Sequence, residues 1–141
     1  MTDTIAAREA ELIEEFEVFD NWLDRYQYLI DLGRELPEFP ESERLDSDKV
    51  SGCQSQVWLQ AHADGNRVVF RAISDAAIVS GLIAVLMRLY SDAPAGDIAK
   101  DSASFVSALG LDNHLSPSRA NGLYAMLERI RGLAQSISDA A

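Results

Sequence analysis

The chain opens on a helical rhythm. Between Ile5 and Phe19 the apolar residues Leu12, Ile13, Phe16 and Phe19 fall on one face among glutamates, and a second segment of similar character runs from Trp22 to Leu32. Gly33 reads as the stop of that second helix, because glycine adopts the left-handed backbone that ends helices. From Arg34 to Gly52 no period is sustained, and Pro37, Pro40, Ser42 and Ser47 interrupt the chain among several charges. A stretch of that length in a compact domain is expected to be functional or mobile.

A period of two begins at Cys53. Ser55, Val57, Leu59 and Ala61 lie on one side of an extended chain, opposite Gln54, Gln56, Trp58 and Gln60. By that parity Cys53 points to the same side as Val57 and Leu59. The turn Ala63-Asp64-Gly65-Asn66 leads into Arg67 to Ile73, the pattern of an antiparallel hairpin. Trp58, on the more polar side, is either a surface anchor for a partner or part of a second packed layer.

After the hairpin the helical period returns. Ser74 or Asp75 can cap a helix carrying Ile78, Val79, Leu82, Ile83, Leu86 and Leu89, whose apolar face is wide enough to be central. Pro94 suits the first turn of a short helix, and Gly110 can end another that includes Phe105, Val106 and Leu109. Ser116-Pro117 reads as the cap and first position of a long closing helix bearing Leu123, Met126, Leu127, Ile130 and Leu133. The elements together make a set of helices around a small sheet, without internal repeat or linker.

Composition sharpens this picture in two places. At 141 residues the chain is the size of one domain, expected to span residues 1–141 and to bury about two-thirds of its unfolded surface. The net charge of −11 is concentrated: residues 1–48 hold 15 of the 23 acidic side chains against 4 arginines, and the remainder is balanced. Such a surface repels phosphate, so nucleic acid and anionic membranes are not expected partners, and the acidity reads as a solvated helical face. No apolar run approaches the ~20 residues of a membrane span, and Met1-Thr2-Asp3-Thr4 lacks the features of a secretory leader. Cytoplasmic residence is the expectation.

Chemistry centres on Cys53, the one cysteine. A lone thiol forms no internal disulfide and cannot alone hold a structural zinc or an iron–sulfur cluster. Free cysteines are commonly inert core residues, but the adjacent glycine and the turn-rich approach favour a reactive one here. His62 and His114 are the only histidines, and either is a candidate base for a cysteine-dependent enzyme acting on a small substrate. No glycine-rich phosphate loop, His-Glu-x-x-His helix or serine nucleophile elbow is present. Sulfur carrier and cysteine-dependent enzyme therefore both stand; a cluster scaffold would need more ligands.

Three stretches resemble the SufE family of sulfur acceptors for cysteine desulfurases: Gly52-Cys53-Gln54-Ser55-Gln56-Val57-Trp58-Leu59, Ser74-Asp75-Ala76-Ala77-Ile78-Val79 with Gly81-Leu82-Ile83-Ala84, and His114-Leu115-Ser116-Pro117-Ser118-Arg119 with Asn121-Gly122-Leu123. Asn21-Trp22, Tyr28-Leu29-Ile30, Leu32-Gly33 and Leu36-Pro37 follow the same family's N-terminal pattern, and CsdE-type acceptors share these marks. The resemblance implies an α+β fold, a small antiparallel β-sheet packed against several helices, similar to the IscU scaffold. It implies that Cys53 accepts sulfur as a persulfide, that Gly52 and Gln54 flank it, and that Asp75 and Arg119 lie near its loop. Arg119 then either stabilises anionic sulfur or pairs with Asp75, for which helix capping is the expected primary role. The implied partners are a PLP-dependent cysteine desulfurase of the SufS or CsdA kind and, downstream, an iron–sulfur scaffold of the SufBCD kind, with no cofactor needed on this chain.

Overall fold

The computed structural model of the chain describes residues 4–53 and 55–140. Two helices, α1 (Ile5–Glu17) and α2 (Trp22–Arg34), precede a hairpin of β1 (Val57–Asp64) and β2 (Arg67–Ser74). There follow α3 (Ala77–Tyr90), a two-residue β3 (Ala93–Pro94), the short helices α4 (Ala95–Lys100), α5 (Phe105–Ala108) and α6 (Leu111–His114), and the long α7 (Pro117–Ala140). The sheet is antiparallel with β2 in the middle. Val57 pairs with Ser74 and Asp64 with Arg67, while β3 adds Ala93 opposite Val68. The fold is α+β, as the sequence implied.

Alternation decides which face of the sheet is buried. Val57 and Leu59 of β1 and Val68, Phe70 and Ala72 of β2 are buried, and they belong to one core with Leu82, Ile83, Leu86 and Leu89 of α3 and Leu123, Met126, Leu127 and Ile130 of α7. The acidic side chains Glu11, Glu14, Glu17, Asp24, Asp31 and Glu35 stay exposed on α1, α2 and the end of α2. Glu9 is half-buried, and so is Glu15. Glu15 takes a bidentate pair from Arg88 at 2.5 and 2.6 Å and a hydrogen bond from the Tyr28 hydroxyl, joining α1, α2 and α3. The Arg88 hydrogen bonds hold the Glu15 carboxyl below the usual carboxylate range against the opposing effect of burial. Burial, and then Glu15, push the Tyr28 phenol up to about 12.

One sequence expectation changes here. Gly33 does not stop α2, which continues to Arg34. It lies instead where α2 crosses α3: a Cβ at Gly33 would stand 2.7 Å from the backbone nitrogen of Gly81, and a Cβ at Gly81 would stand 2.6 Å from the Leu29 carbonyl carbon, closer still to its oxygen. The pair lets two backbones meet without side chains between them.

The stretch before Cys53 is a strap across the outer face of the hairpin, built from two 3₁₀ turns at Glu41–Glu43 and Asp46–Asp48. Phe39 is buried beneath the Arg71 guanidinium, 4.3 Å from its ring centre. Trp58 has Arg44 and Lys49 over its ring at 5.3 and 5.8 Å, so it belongs to a second packed layer. Gln60 donates to the Glu43 carbonyl and to Asp48, and Arg71 pairs with Glu43 at 3.1 Å.

Candidate functional site

Cys53 follows a turn at residues 51 and 52, and β1 begins only at Val57. Gly52 in that turn has φ 91°, in the region that favours glycine, so the extended run does not reach back to Cys53, yet the thiol still packs against the core to which Val57 and Leu59 belong. The limbs of this loop are tied at both ends. On entry, Lys49 bridges Trp58 and the Val50 N–H donates to the Val57 carbonyl at 2.9 Å. On exit, the Asp75 carboxylate accepts from the Gln56 N–H at 3.1 Å, while the Asp75 N–H donates to the Gln56 carbonyl.

That arrangement corrects the capping role expected of Asp75. Because Asp75 prolongs the pairing of the hairpin toward Gln56, α3 starts later, and its N-cap, Ala76, offers no side-chain acceptor. Ser74 accepts from the Ala76 N–H, one step before the helix. The first turn of α3 is therefore uncapped by side chains, and its positive end lines a cavity beside Cys53.

The cavity measures about 450 Å³. Val79 and Leu82 of α3 and Leu123 and Met126 of α7 give it apolar walls, and Ser116, Ser118 and Arg119 line it from the start of α7. Ser116 accepts from the Arg119 N–H, as its capping position predicts. A shallower cavity of about 280 Å³, lined by Lys49, Val50, Ser51, Ser55 and Gln56, lies against the same cysteine.

Cys53 itself is half-buried. Its thiol lies 3.6 Å from the Gly122 carbonyl as a weak donor, and a Cβ on Gly122 would be 3.6 Å from Sγ. Burial pushes the thiol above its ordinary pKa, with no neighbouring charge offsetting the effect. Burial therefore favours the protonated form of the resting thiol. Arg119 and Cys53 line the same cavity, and among the described residues Arg119 and Asp75 form no ion pair. Gly52, Asp75, Arg119 and Cys53 thus converge on one loop and its cavity, while Gln54 lies outside the described residues.

Neither histidine joins them. His62 is exposed in β1 opposite Val69, and His114 stacks on Trp22 at 4.1 Å with Nδ1 2.9 Å from the Gly110 carbonyl. Neither lines the cavities at Cys53, so the base that a cysteine-dependent enzyme would need is not beside the thiol. Among the described residues, no group of three or more histidine, cysteine or acidic side chains is arranged to hold a metal ion, and no helix is long and apolar enough to cross a membrane.

Sequence reasoning did not single out the Gly122 carbonyl, the apolar walls or Arg129, whose guanidinium donates to the carbonyls of Ser47 and Lys49. Gly122 had a signal in the Asn121-Gly122-Leu123 motif. Arg129 had none.

The profile of the SufE family, described as an Fe-S metabolism associated domain, matches residues 10–134. An uncharacterized SufE-like protein of Rhizobium meliloti is 43% identical over 130 residues, covering 89% of this chain and 93% of the relative. Another, from Rhizobium etli, is 44% identical over 126 residues, covering 86% and 85%. The solution structure of a hypothetical protein from Thermus thermophilus shares the fold with a TM-score of 0.77 at 20% identity, over 95% of this chain and 97% of that one. With its family profile matched over most of its length and relatives above 40% identity, this chain belongs to the SufE family.

Proposed function

We propose that this protein accepts sulfur from a PLP-dependent cysteine desulfurase, carries it as a persulfide on Cys53, and delivers it toward iron–sulfur cluster assembly. The observation that carries this reading is the chain's one cysteine, on a loop tied at both ends, beside a cavity of about 450 Å³. A sulfur atom needs a volume comparable to the ~30 Å³ share of a water molecule, so the cavity has room for it. The desulfurase is of the SufS or CsdA kind, and the receiving scaffold of the SufBCD kind. The protein acts as a sulfur-transfer partner rather than as a stand-alone enzyme.

The step balances without an oxidant. The Cys53 thiolate attacks the terminal sulfur of the desulfurase persulfide and forms a new S–S bond. The bond between that sulfur and the desulfurase cysteine breaks, and the departing thiolate keeps the electron pair and takes up a proton. Because burial disfavours the thiolate in the resting position, transfer begins with the loop leaving its cavity. Ser51 and Gly52 are exposed, and Gly52 has the backbone freedom for that motion. An anionic terminal sulfur returning to the cavity meets the N-terminal ends of α3 and α7 and the Arg119 guanidinium, all favourable to negative charge.

The test is intact-mass measurement after incubation with a cysteine desulfurase and free cysteine. The parent protein gains the mass of a sulfur atom, and Cys53→Ser gains none while keeping its fold, because the exchange is nearly isosteric. A serine variant that still gains sulfur, or a parent that never does, refutes the proposal.

A further inference from the structure

The Cys53 loop lies along one face of α7. Gly122, Ala125 and Arg129 are spaced three and four residues apart and share that face. The chain runs past them in reverse order. The Cys53 thiol meets the Gly122 carbonyl, and Gly52 approaches Ala125 so closely that a Cβ on Gly52 would stand 3.2 Å from the alanine's own. Arg129 donates from Nη2 to the Ser47 carbonyl at 2.9 Å and from Nη1 to the Lys49 carbonyl at 3.5 Å. The first two contacts involve the residues that must leave when Cys53 is presented. The third grips backbone just upstream of them, and the Val50–Val57 hydrogen bond follows immediately.

We propose that Arg129 is a positioning residue for sulfur transfer: it clamps the entry limb of the Cys53 loop to α7, confining the swing to the chain beyond that clamp and returning Cys53 to its cavity. The proposal rests on the reading of Cys53 as the sulfur carrier. Its physical basis is the selectivity of the contact. A guanidinium reaching two carbonyls of one segment holds the path of that backbone and is indifferent to the side chains at positions 47 and 49. Arg129 does not line the cavity around the thiol, so it acts on the loop and not on the acidity of the sulfur.

The experiment measures Cys53 alkylation against pH in the free protein, without a desulfurase. Arg129→Ala is expected to raise the rate about fivefold, the scale of losing one partly exposed charged hydrogen-bonding contact. The midpoint of the pH profile should stay in place. Arg129→Lys, which keeps a charged donor but loses the planar fork, should fall between parent and alanine variant. Arg71→Ala is the control, since it loosens the same strap at Glu43 and Phe39 without touching the entry limb. An unchanged rate in Arg129→Ala overturns the proposal, as does an equal acceleration in Arg71→Ala, which would mark general loosening of the strap. Should the alanine variant fail to fold, the lysine variant decides by the same comparison. Failure of the parent to take up sulfur would refute the carrier reading, a result distinguishable from any outcome of the alkylation series.

Discussion

Asp75 offers the most direct perturbation of how tightly the Cys53 loop is held. Its carboxylate accepts from the Gln56 N–H at 3.1 Å, and that bond closes the exit limb four residues after Gly52. A hydrogen bond to a charged acceptor contributes about 1.5–3 kcal/mol when shielded. Asp75 and Gln56 are both exposed, and water can replace part of the contact, which brings the expected loss in Asp75→Ala to about 1 kcal/mol. If loop opening precedes alkylation of Cys53, that loss corresponds to roughly a fivefold faster reaction. Asp75→Asn retains an acceptor oxygen without the charge and should fall between the two. Because burial, and no neighbouring charge, raises the thiol pKa, the midpoint of the alkylation profile should not move. The assay is the alkylation rate in free protein, paired with urea unfolding to measure global stability. An unchanged rate in the alanine variant would show that the exit limb does not control access to the thiol. A faster rate accompanied by a global loss of several kcal/mol would equally refute the reasoning, since the effect would then be unfolding rather than release of one loop.

Two further predictions concern the scaffold behind the loop. Helix propensity alone makes Gly81→Ala stabilising by about 1 kcal/mol, whereas the Leu29 carbonyl leaves no space for the added carbon. We expect a net loss of about 3 kcal/mol and a melting temperature lower by roughly 10 °C, followed by circular dichroism; a stabilised variant would contradict the close crossing of α2 and α3. Glu15→Gln removes the charge that binds Arg88. Since the folded state lowers the Glu15 pKa, its contribution is present above the ordinary value of about 4.3 and disappears as pH falls through the lowered folded value. The parent should therefore exceed the variant in urea stability by about 1 kcal/mol at neutral pH, discounted for partial exposure of the pair, and the difference should vanish in acid. A difference that grows toward acid pH would refute this assignment.

The sequence by itself determined what depends on near neighbours. Helices were legible from residues three and four apart, as in Leu12 with Phe16 on α1, and the hairpin from alternation around Gly65. Ser116 caps α7 through a residue three positions on, and Gly110 takes the left-handed backbone at the turn after α5. Cys53 stood out because no other residue could supply thiol chemistry, and the motifs around Asp75 and Arg119 led to the same loop.

Tertiary structure decided the rest, because the deciding partners are remote along the chain. A glycine that ends a helix and one that admits a crossing helix are the same letter; Gly33 was assigned by the backbone at positions 80 and 81. Asp75 looked like a cap until Gln56, nineteen positions back, claimed its carboxylate. The strap before Cys53 showed no period because Phe39 and Val50 each bury singly against the hairpin rather than along a repeating face. Arg129 reaches across about eighty positions to two backbone carbonyls, a contact that no side-chain pattern encodes. Local spacing carries the geometry of one element, whereas the burial and tethering that govern the thiol arise only when the loop, α3 and α7 meet in space.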